Sequence, residues 1–359
     1  KKKKKNLFSL IPILIYFVLF YLGLLGLNKV MPQNPRAVAE SRDLILQCLD
    51  DPDVTIRMRA LDLIMSMVTE KNLEAIIQRL TDHLYGTDGS YRDHVLEQII
   101  KVCSKEDYEF VRDFAWYVQL LTNMTNLQSM SRRNAELIAE NMIDVTLRVP
   151  EVRKFAAQQM EILIVNNGLI GDAHNMQSNA ICRVLRAAAY IVGEFAELVK
   201  DHLTLVKAML QTRVASLPGD IQGLFVHNAL KVLGYGLVKI LNDDNEQQAT
   251  NQPDKSQVCK DLITGSIQLL EPLAGSQHIE VQERATAYIY FLKWLQPALE
   301  TAAKSERKET AAAFVQVFSS ELAPVHAKNQ AIAAKKIPAG LSLDDWMGEP
   351  WPESEKEDE

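Results

Sequence analysis

The side chains best suited to catalysis or metal binding are spread thinly along this 359-residue chain. No two of its 7 histidines stand at the i, i+4 spacing that places two metal ligands on one helix face. The sequence also contains no glycine-rich phosphate loop, no G-x-S-x-G turn, no H-E-x-x-H helix and no C-x-x-C pair. It therefore predicts no catalytic residue, no cofactor and no metal site, and a protein that is not an enzyme.

Carboxylate pairs and cysteines fit structural roles. The pairs Asp50-Asp51, Asp243-Asp244 and Asp344-Asp345 stand at predicted turns or in the tail, where solvent keeps both carboxylates ionised. The 4 cysteines are too far apart in sequence for a zinc site or a small disulfide scaffold. We expect reduced, buried thiols.

Four arginines in helical segments allow two interpretations. They are either recognition residues on an open face or partners of acids at junctions between helices, and we favour the second. The arginines are Arg57, Arg59, Arg153 and Arg284, and the acids are Asp53, Asp62 and Glu280.

The acidic tail holds the sharpest candidates for interaction or regulation. Trp346 and Trp351 stand among acids and prolines, where a solvated linker has little reason to place tryptophan. They form a short docking motif, or they fold back and close the apolar end of the helical array. Ser354 precedes Glu355 and Glu357 and so resembles an acid-directed phosphorylation site.

The elements that carry these residues are predicted to be helices throughout. From about Ser41 to about Glu321, apolar residues recur at three- and four-residue spacing, and no long run alternates with the period of a strand. Asp51-Pro52-Asp53 is typical of a helix start, and Ser104 to Asp107 is predicted to be an acidic variant of the capping box. The pattern favours roughly a dozen helices joined by short turns.

Three helical segments look alike and indicate a repeat. They begin at Pro52, Val149 and Gln277, and each has a β-branched residue four positions before an alanine: Ala60, Ala156 and Ala285. The separations between the alanines divide into steps close to the roughly 40 to 47 residues of HEAT and armadillo repeats. Such pairs bury their apolar stripes by stacking, so the predicted fold is an all-α, HEAT/armadillo-like superhelical solenoid that acts as a scaffold.

Two segments interrupt this pattern. Leu241 to Gln257 is polar and contains a proline, which predicts a loop between two helices. Residues 324–359 form a Pro-containing acidic stretch that is predicted to be a disordered hinge or linker.

Composition excludes some classes of protein. The chain is 47% hydrophobic, enough for a large core, and its net charge of -7 argues against a nucleic-acid binder.

The opening of the chain raises a membrane alternative. Five lysines precede an uncharged, mostly apolar run from Leu7 to Leu27, which is long enough to cross a bilayer as a helix. A membrane-anchored helical-repeat protein that uses this run as a transmembrane helix is therefore the second hypothesis.

Several segments together resemble the adaptin large-subunit family, and within it the delta-type subunits of adaptor-protein complex 3. The similarity is carried by "CLDDPDVTIRMRALDL", "VGEFAE", "EVQERA" and the tail motif "GLSLDDW", in collinear order from Tyr21 to Glu359. It implies that residues 21–323 are the latter part of a helical trunk and that residues 324–359 begin a hinge. Residues 1–20 match nothing in the family, and we expect them to be non-native or misjoined.

The resemblance also implies a function. The expected protein is a non-enzymatic scaffold of a heterotetrameric vesicle-coat adaptor, with beta, medium and small subunits as partners. It would associate peripherally with Golgi and endosomal membranes from the cytoplasm and take part in sorting to the lysosome or vacuole. Contact with cargo would be indirect, and no cargo-binding residue is carried over.

Overall fold

The computed structural model describes residues 7–87, 89–127, 130–166, 178–242, 255–301 and 303–319. Every regular element among these residues is helical, which confirms the all-α prediction. The α-helices are α1 (Leu7–Val30), α2 (Pro35–Glu40), α3 (Arg42–Gln47), α4 (Val54–Ser66), α5 (Leu73–Tyr85), α6 (Gly89–Cys103), α7 (Phe114–Met124), α8 (Arg132–Arg148), α9 (Arg153–Val165), α10 (Ser178–Glu194), α11 (His202–Leu210), α12 (Gly219–Asn242), α13 (Lys255–Ala274), α14 (Ile279–Thr301) and α15 (Lys304–Ser319). Short 3-10 helices occur at Cys48–Asp50, Pro150–Val152, Ala196–Leu198 and Thr212–Ser216.

The chain divides into two units, Lys1–Val315 and Gln316–Glu359. Of the second unit, the structure describes only the last turn of α15. The packing described below is that of the first unit. The predicted loop from Leu241 to Gln257 and the predicted boundary at Pro324 lie largely or wholly outside the described residues.

The helices of the first unit form two layers. Helices α4, α6, α8, α10, α12 and α14 contact one another in series, and α7, α9, α11 and α13 form a second series. Sequential helices connect the layers, as in the pairs α7–α8, α11–α12 and α13–α14. Because each pair packs mainly on its neighbours, the arrangement is the predicted helical-repeat solenoid.

The opening helix α1 packs against α4. Leu24 is buried in this region, and the Nε atom of Arg59 donates to the Tyr21 hydroxyl at 3.2 Å while the guanidinium lies over the Tyr21 ring. From Tyr21 onward, α1 is thus a helix of the stack. The predicted boundary after Phe20 does not coincide with a helix end, because α1 continues through it. That residues 1–20 are non-native or misjoined stays a prediction.

The three similar segments do not occupy equivalent positions. Ala60, Ala156 and Ala285 are all buried, as expected of small residues where helices approach closely. However, α4 and α14 lie in the first layer and α9 lies in the second. The prediction of one shared repeat position is therefore wrong for the Val149 segment. Ala60 and Ala285 are five helix pairs apart, about 45 residues per pair, which fits the repeat length.

Aspartates cap the first turns of three described helices, and Asp201 does so for α11, where it accepts from the Thr204 amide at 3.1 Å. Asp53 precedes α4 and accepts a hydrogen bond from the Thr55 amide at 2.7 Å, which confirms the predicted helix start. Asp113 does the same for α7, where it accepts from the Ala115 amide at 2.8 Å. Each carboxylate satisfies an amide that has no partner within the helix.

The predicted capping box at Ser104 to Asp107 is wrong. Residues 106–108 instead adopt left-handed backbone conformations with φ of 49°, 58° and 68°. The turn places Tyr108 so that its hydroxyl donates to Asp144 Oδ2 at 2.9 Å, and its ring packs beside Tyr117. These tertiary contacts offset the local cost of the left-handed residues.

One described helix, α12, is long and apolar enough to cross a membrane by length and composition alone. Within the protein, 61% of its apolar window is buried. It lies between α10 and α14 in the first layer and also contacts α11 and α13. We therefore interpret α12 as the central core helix of the solenoid.

A histidine at the α12–α14 junction should make stability depend on pH. The Tyr288 hydroxyl lies 2.6 Å from Nδ1 of His227. Burial lowers the pKa of His227 to about 4, with a further contribution from the nearby charges of Lys231 and Arg284. The unfolded chain, with a histidine pKa near 6.5, then binds more protons between about pH 6.5 and 4. Stability should fall as the pH is lowered through this window.

We expect His227 to contribute about 1 to 2 kcal/mol of this loss, after allowance for its partial exposure. The measurement is the urea unfolding midpoint at pH 7.5 and pH 5.0 for the wild type and for His227→Gln. The variant should show a smaller pH dependence, while other buried histidines contribute equally to both proteins. Identical pH dependence in the two proteins would contradict the prediction.

Candidate interaction surfaces

The candidate residues of the tail, Trp346, Trp351 and Ser354, lie outside the described residues. Their roles stay predictions. The surfaces below are built from the helices of the first unit.

The four cysteines are buried and form no disulfide bonds with one another, as predicted. Burial raises the pKa of the Cys103 thiol to about 12, so this thiol is protonated and unreactive at neutral pH. Across the residues that the structure describes, no cluster of three or more His, Cys, Asp or Glu side chains could hold a metal ion.

Arg153 fastens α9 to its neighbours. Its guanidinium donates to the backbone carbonyls of Thr146 at 3.2 Å and Leu147 at 2.8 Å, near the end of α8. It also lies over the ring of Phe195, 5.1 Å from the centroid. A cation at the carbonyl end of a helix is stabilised by the helix dipole. Arg153 is thus a junction residue and is not presented for recognition.

Arg284 and Arg59 have the same kind of role. Arg284 donates to the carbonyl of Gly223 at 2.9 Å, which joins α14 to α12, and pairs with Glu280 at 2.6 Å on its own helix. Arg59, which contacts α1, also pairs with Asp62 at 3.4 Å. The favoured interpretation, pairing with acids at junctions between helices, is confirmed only in part. Arg59 and Arg284 do pair with the predicted acids, but each pair lies within one helix, and their contacts between helices are with the Tyr21 hydroxyl and the Gly223 carbonyl.

Arg57 lines a polar cavity of about 360 Å³ between α4 and α5. Its guanidinium lies over the ring of Tyr91 at 4.4 Å, and its Nε atom is buried without a hydrogen-bond partner among the described residues. Asp50 in the same cavity faces Arg79 at 3.5 Å and His83 at 3.3 Å. Acids and bases are mixed here, so the cavity shows no preference for one class of ligand.

The clearest exposed feature is one side of α14, formed by Ile279, Glu283, Ala287, Tyr290 and Trp294, here called the α14 surface. Ile279 is 80% exposed, Tyr290 70% and Trp294 71%. The steps of three and four residues place all five on one face of the helix. Exposed tyrosine and tryptophan at such spacing are typical of protein-binding surfaces.

Sequence reasoning missed the α14 surface. The stretch "AYIYFLKWL" is apolar on both sides of the helix, so its pattern indicates burial without telling which side faces solvent. The sequence did carry one signal, which is that this stretch has more apolar residues than a single stripe requires. A helix that is packed on one side needs only one apolar stripe. Val281, Ala285 and Leu292 supply that stripe.

Comparison with known proteins agrees with this architecture. A model of the adaptin N terminal region matches residues 19–295. AP-3 complex subunit delta-1 of Bos taurus is 38% identical over 342 residues, 94% of this chain and 26% of that protein. AP-3 complex subunit delta of Dictyostelium discoideum is 35% identical over 344 residues, 92% of this chain and 29% of that protein.

A plant relative extends the same similarity. AP-3 complex subunit delta of Arabidopsis thaliana is 28% identical over 352 residues, 92% of this chain and 39% of that protein. The chain thus spans between about a quarter and two fifths of the length of these relatives. The predicted resemblance to delta-type subunits is confirmed, and the chain belongs to the adaptin family.

Proposed function

We propose that the chain is a trunk segment of the large delta-type subunit of an AP-3-type adaptor complex, a non-enzymatic scaffold of a vesicle coat. The main support for this proposal is the two-layer helical stack, together with the similarity to relatives named as delta subunits of AP-3 complexes. A stack of this kind offers long, rigid faces for other proteins.

The proposed partners are the beta, medium and small subunits of the same complex. The chain would reach Golgi and endosomal membranes from the cytoplasm only as part of that assembly, and would act in sorting to the lysosome or vacuole. Sorting signals on cargo would be met indirectly. Residues 21–323 are proposed as trunk and 324–359 as hinge, in which Trp346, Trp351 and Ser354 would serve docking or regulation.

A co-expression pull-down tests this assignment. The tagged 359-residue chain is expressed with the beta, medium and small subunits, and at least one of them should be enriched over a tag-only control. A chain that ends at residue 323 should retain this enrichment if the hinge is dispensable for assembly. Failure to enrich any subunit, when the full-length Bos taurus relative does so in parallel, would remove the proposal.

The membrane-anchored alternative and the proposed peripheral scaffold differ in whether alkaline carbonate extracts the chain from membranes. In the structure, the Tyr21 half of α1 contacts α4, and this docking favours a helix of the stack. We therefore expect alkaline carbonate to release the chain from cell membranes into the supernatant. Retention in the pellet, next to a known integral protein as control, would support the anchor instead.

A further inference from the structure

The last described helix, α15, buries a narrow ridge of two side chains against the solenoid. Among the described side chains of α15, only Ala311 and Phe314 are buried, at 0% and 2% exposure. Their three-residue spacing places both on one side of the helix. By contrast, α14 buries an apolar residue in every turn from Val281 to Leu299. Helix α15 therefore has much less apolar support than the helix before it.

Phe314 occupies a site between α12 and α14. Its ring lies 5.3 Å from the ring of Phe291 on α14. On α12, a Cβ atom built at Gly234 would lie 3.4 Å from the Phe314 ring and 3.2 Å from Cγ2 of Val315, and all of its nearest neighbours belong to α15. The absence of a side chain at Gly234 thus makes room for the ring. This site, formed by Gly234 and Phe291, is here called the Phe314 seat.

The junction between α14 and α15 favours movement of the far end of α15. Pro297 stands inside α14 near its end, and proline has no amide hydrogen to donate to the carbonyl four residues earlier. At the start of α15, Arg307 donates to the Glu300 carbonyl at 3.4 Å and ties this end to α14. The compact first unit of the chain ends within α15, at Val315. Bending at the junction therefore moves the part of α15 that carries Phe314.

We propose that α15 is a reversible latch, which opens by withdrawing Phe314 from its seat while α12 and α14 stay folded. In the closed state, Phe314 covers Gly234 and part of the Phe291 ring. The open state exposes both, next to Trp294, whose ring lies 6.0 Å from that of Phe291. Opening therefore extends the α14 surface toward α12, and the latch controls how much apolar surface this end of the first unit presents.

The small buried ridge sets the balance between the two states. Burial of one phenylalanine shifts a docking equilibrium by roughly ten- to a hundredfold, so the open state is populated at about 0.1 to 10%. A helix of 16 residues is marginally stable without packing, so the open helix frays and its amides exchange with solvent. This inference concerns the chain alone and does not depend on the partner subunits proposed above.

Hydrogen–deuterium exchange of the full chain, read by mass spectrometry, tests the latch. Amides of α15 should exchange at least about tenfold faster than those of α12. Phe314→Ala should speed exchange in α15 about tenfold and leave α10 and α12 unchanged, because only the contact with the seat is lost. Val317→Ala, at a 67% exposed position on the same helix, is the matched control and should behave as wild type. Exchange in α15 as slow as in α12, or equal acceleration of all three helices by Phe314→Ala, overturns the proposal.

Thiol labelling measures the open fraction. Ala311→Cys places a thiol in the buried ridge, where a small thiol reagent reaches it only when the latch is open. Ala313→Cys, on the exposed side of α15, gives the rate of an accessible thiol. The ratio of the two rates should lie between about 0.001 and 0.1. Equal rates, or an Ala311→Cys thiol as slow as the buried native cysteines, overturn the proposal.

A variant in the seat opens the latch from the other side. In Gly234→Leu, the added side chain takes the place of the Phe314 ring, because the atoms nearest to that position belong to α15. Leucine favours a helix more than glycine does, so α12 itself should stay folded. Exchange in α15 should become at least as fast as in Phe314→Ala, with α12 still protected. Loss of protection in α12 as well would make α15 part of the cooperative core, and would overturn the latch.

Discussion

Replacing Gly193 with alanine should destabilise the solenoid by about 3 kcal/mol, the upper part of the range for overpacked cores. Gly193 lies near the end of α10, where α10 packs against α12. A Cβ atom built there would lie 2.1 Å from Oδ1, 2.3 Å from Cγ and 2.5 Å from Cβ of Asn228. Contact with the Asn228 Cβ means that a side-chain rotation alone cannot relieve the clash.

Asn228 itself has little freedom to move. It is 2% exposed, and its Nδ2 atom donates to the Leu224 carbonyl at 3.1 Å. A new methyl group must therefore push α10 and α12 apart, and both helices have further neighbours in their layer. The strain spreads along the stack because repeats are stabilised by their contacts with adjacent repeats.

The urea unfolding midpoint followed by circular dichroism measures this effect, with Gly265→Ala as the matched control. Gly265 is also a helical glycine, on α13, but a Cβ there would have no neighbour within 4 Å. Gly265→Ala should leave stability unchanged or raise it by up to about 1 kcal/mol, since alanine favours the helix. Similar urea midpoints for Gly193→Ala and Gly265→Ala would contradict the prediction, because they would show that the contact between α10 and α12 has room for an added methyl group.

Gly193 shows where prediction from sequence stops. The glycine stands in "VGEFAE", where a helical pattern surrounds it, and a glycine inside such a pattern suggests close packing. Its partner, Asn228, is on a helix two elements later. No local pattern relates the two residues, because the contact depends on how the two layers are stacked.

The same distinction applies to the fold. Periodicity was sufficient for the helical class, because a three- and four-residue spacing of apolar residues is a property of each helix alone. The layer of each helix is a property of the stack, and the Val149 segment was misassigned for that reason. At Tyr108, contacts with Asp144 and Tyr117 outweighed a local capping signal.

The candidate surfaces were predicted in part. Charge and helix context predicted that Arg59 and Arg284 pair with acids. They did not predict that Arg153 and Arg284 join neighbouring helices through backbone carbonyls, because those contacts depend on how the helices are stacked. The α14 surface could not be predicted from the sequence, because only the packing of α14 shows which of its two apolar faces is covered. The predicted roles of Trp346 and Trp351 rest on the composition of the tail alone. They stay predictions, because both residues lie outside the described residues.

A buried ion pair between α10 and α12 gives the second large expected effect. Lys231 Nζ lies 3.3 Å from Glu194 Oε2, and their side chains are only 9% and 16% exposed. Removing one partner leaves the other charge in a poorly solvated site, which typically costs several kcal/mol. Glu194→Ala should therefore destabilise the chain by about 3 kcal/mol.

The double variant distinguishes loss of the pair from loss of packing. Lys231→Met combined with Glu194→Leu removes both charges and retains apolar volume, and such replacements of buried pairs are often neutral or stabilising. We expect the urea midpoint of the double variant to lie closer to the wild type than that of Glu194→Leu or Lys231→Met alone, the two single variants that complete the cycle. If the effects of Glu194→Leu and Lys231→Met simply add, the charges are not coupled, and the cost of each single variant must arise from lost packing. If they compensate, the ion pair sets how α10 and α12 are aligned, at the same interface where Gly193 meets Asn228.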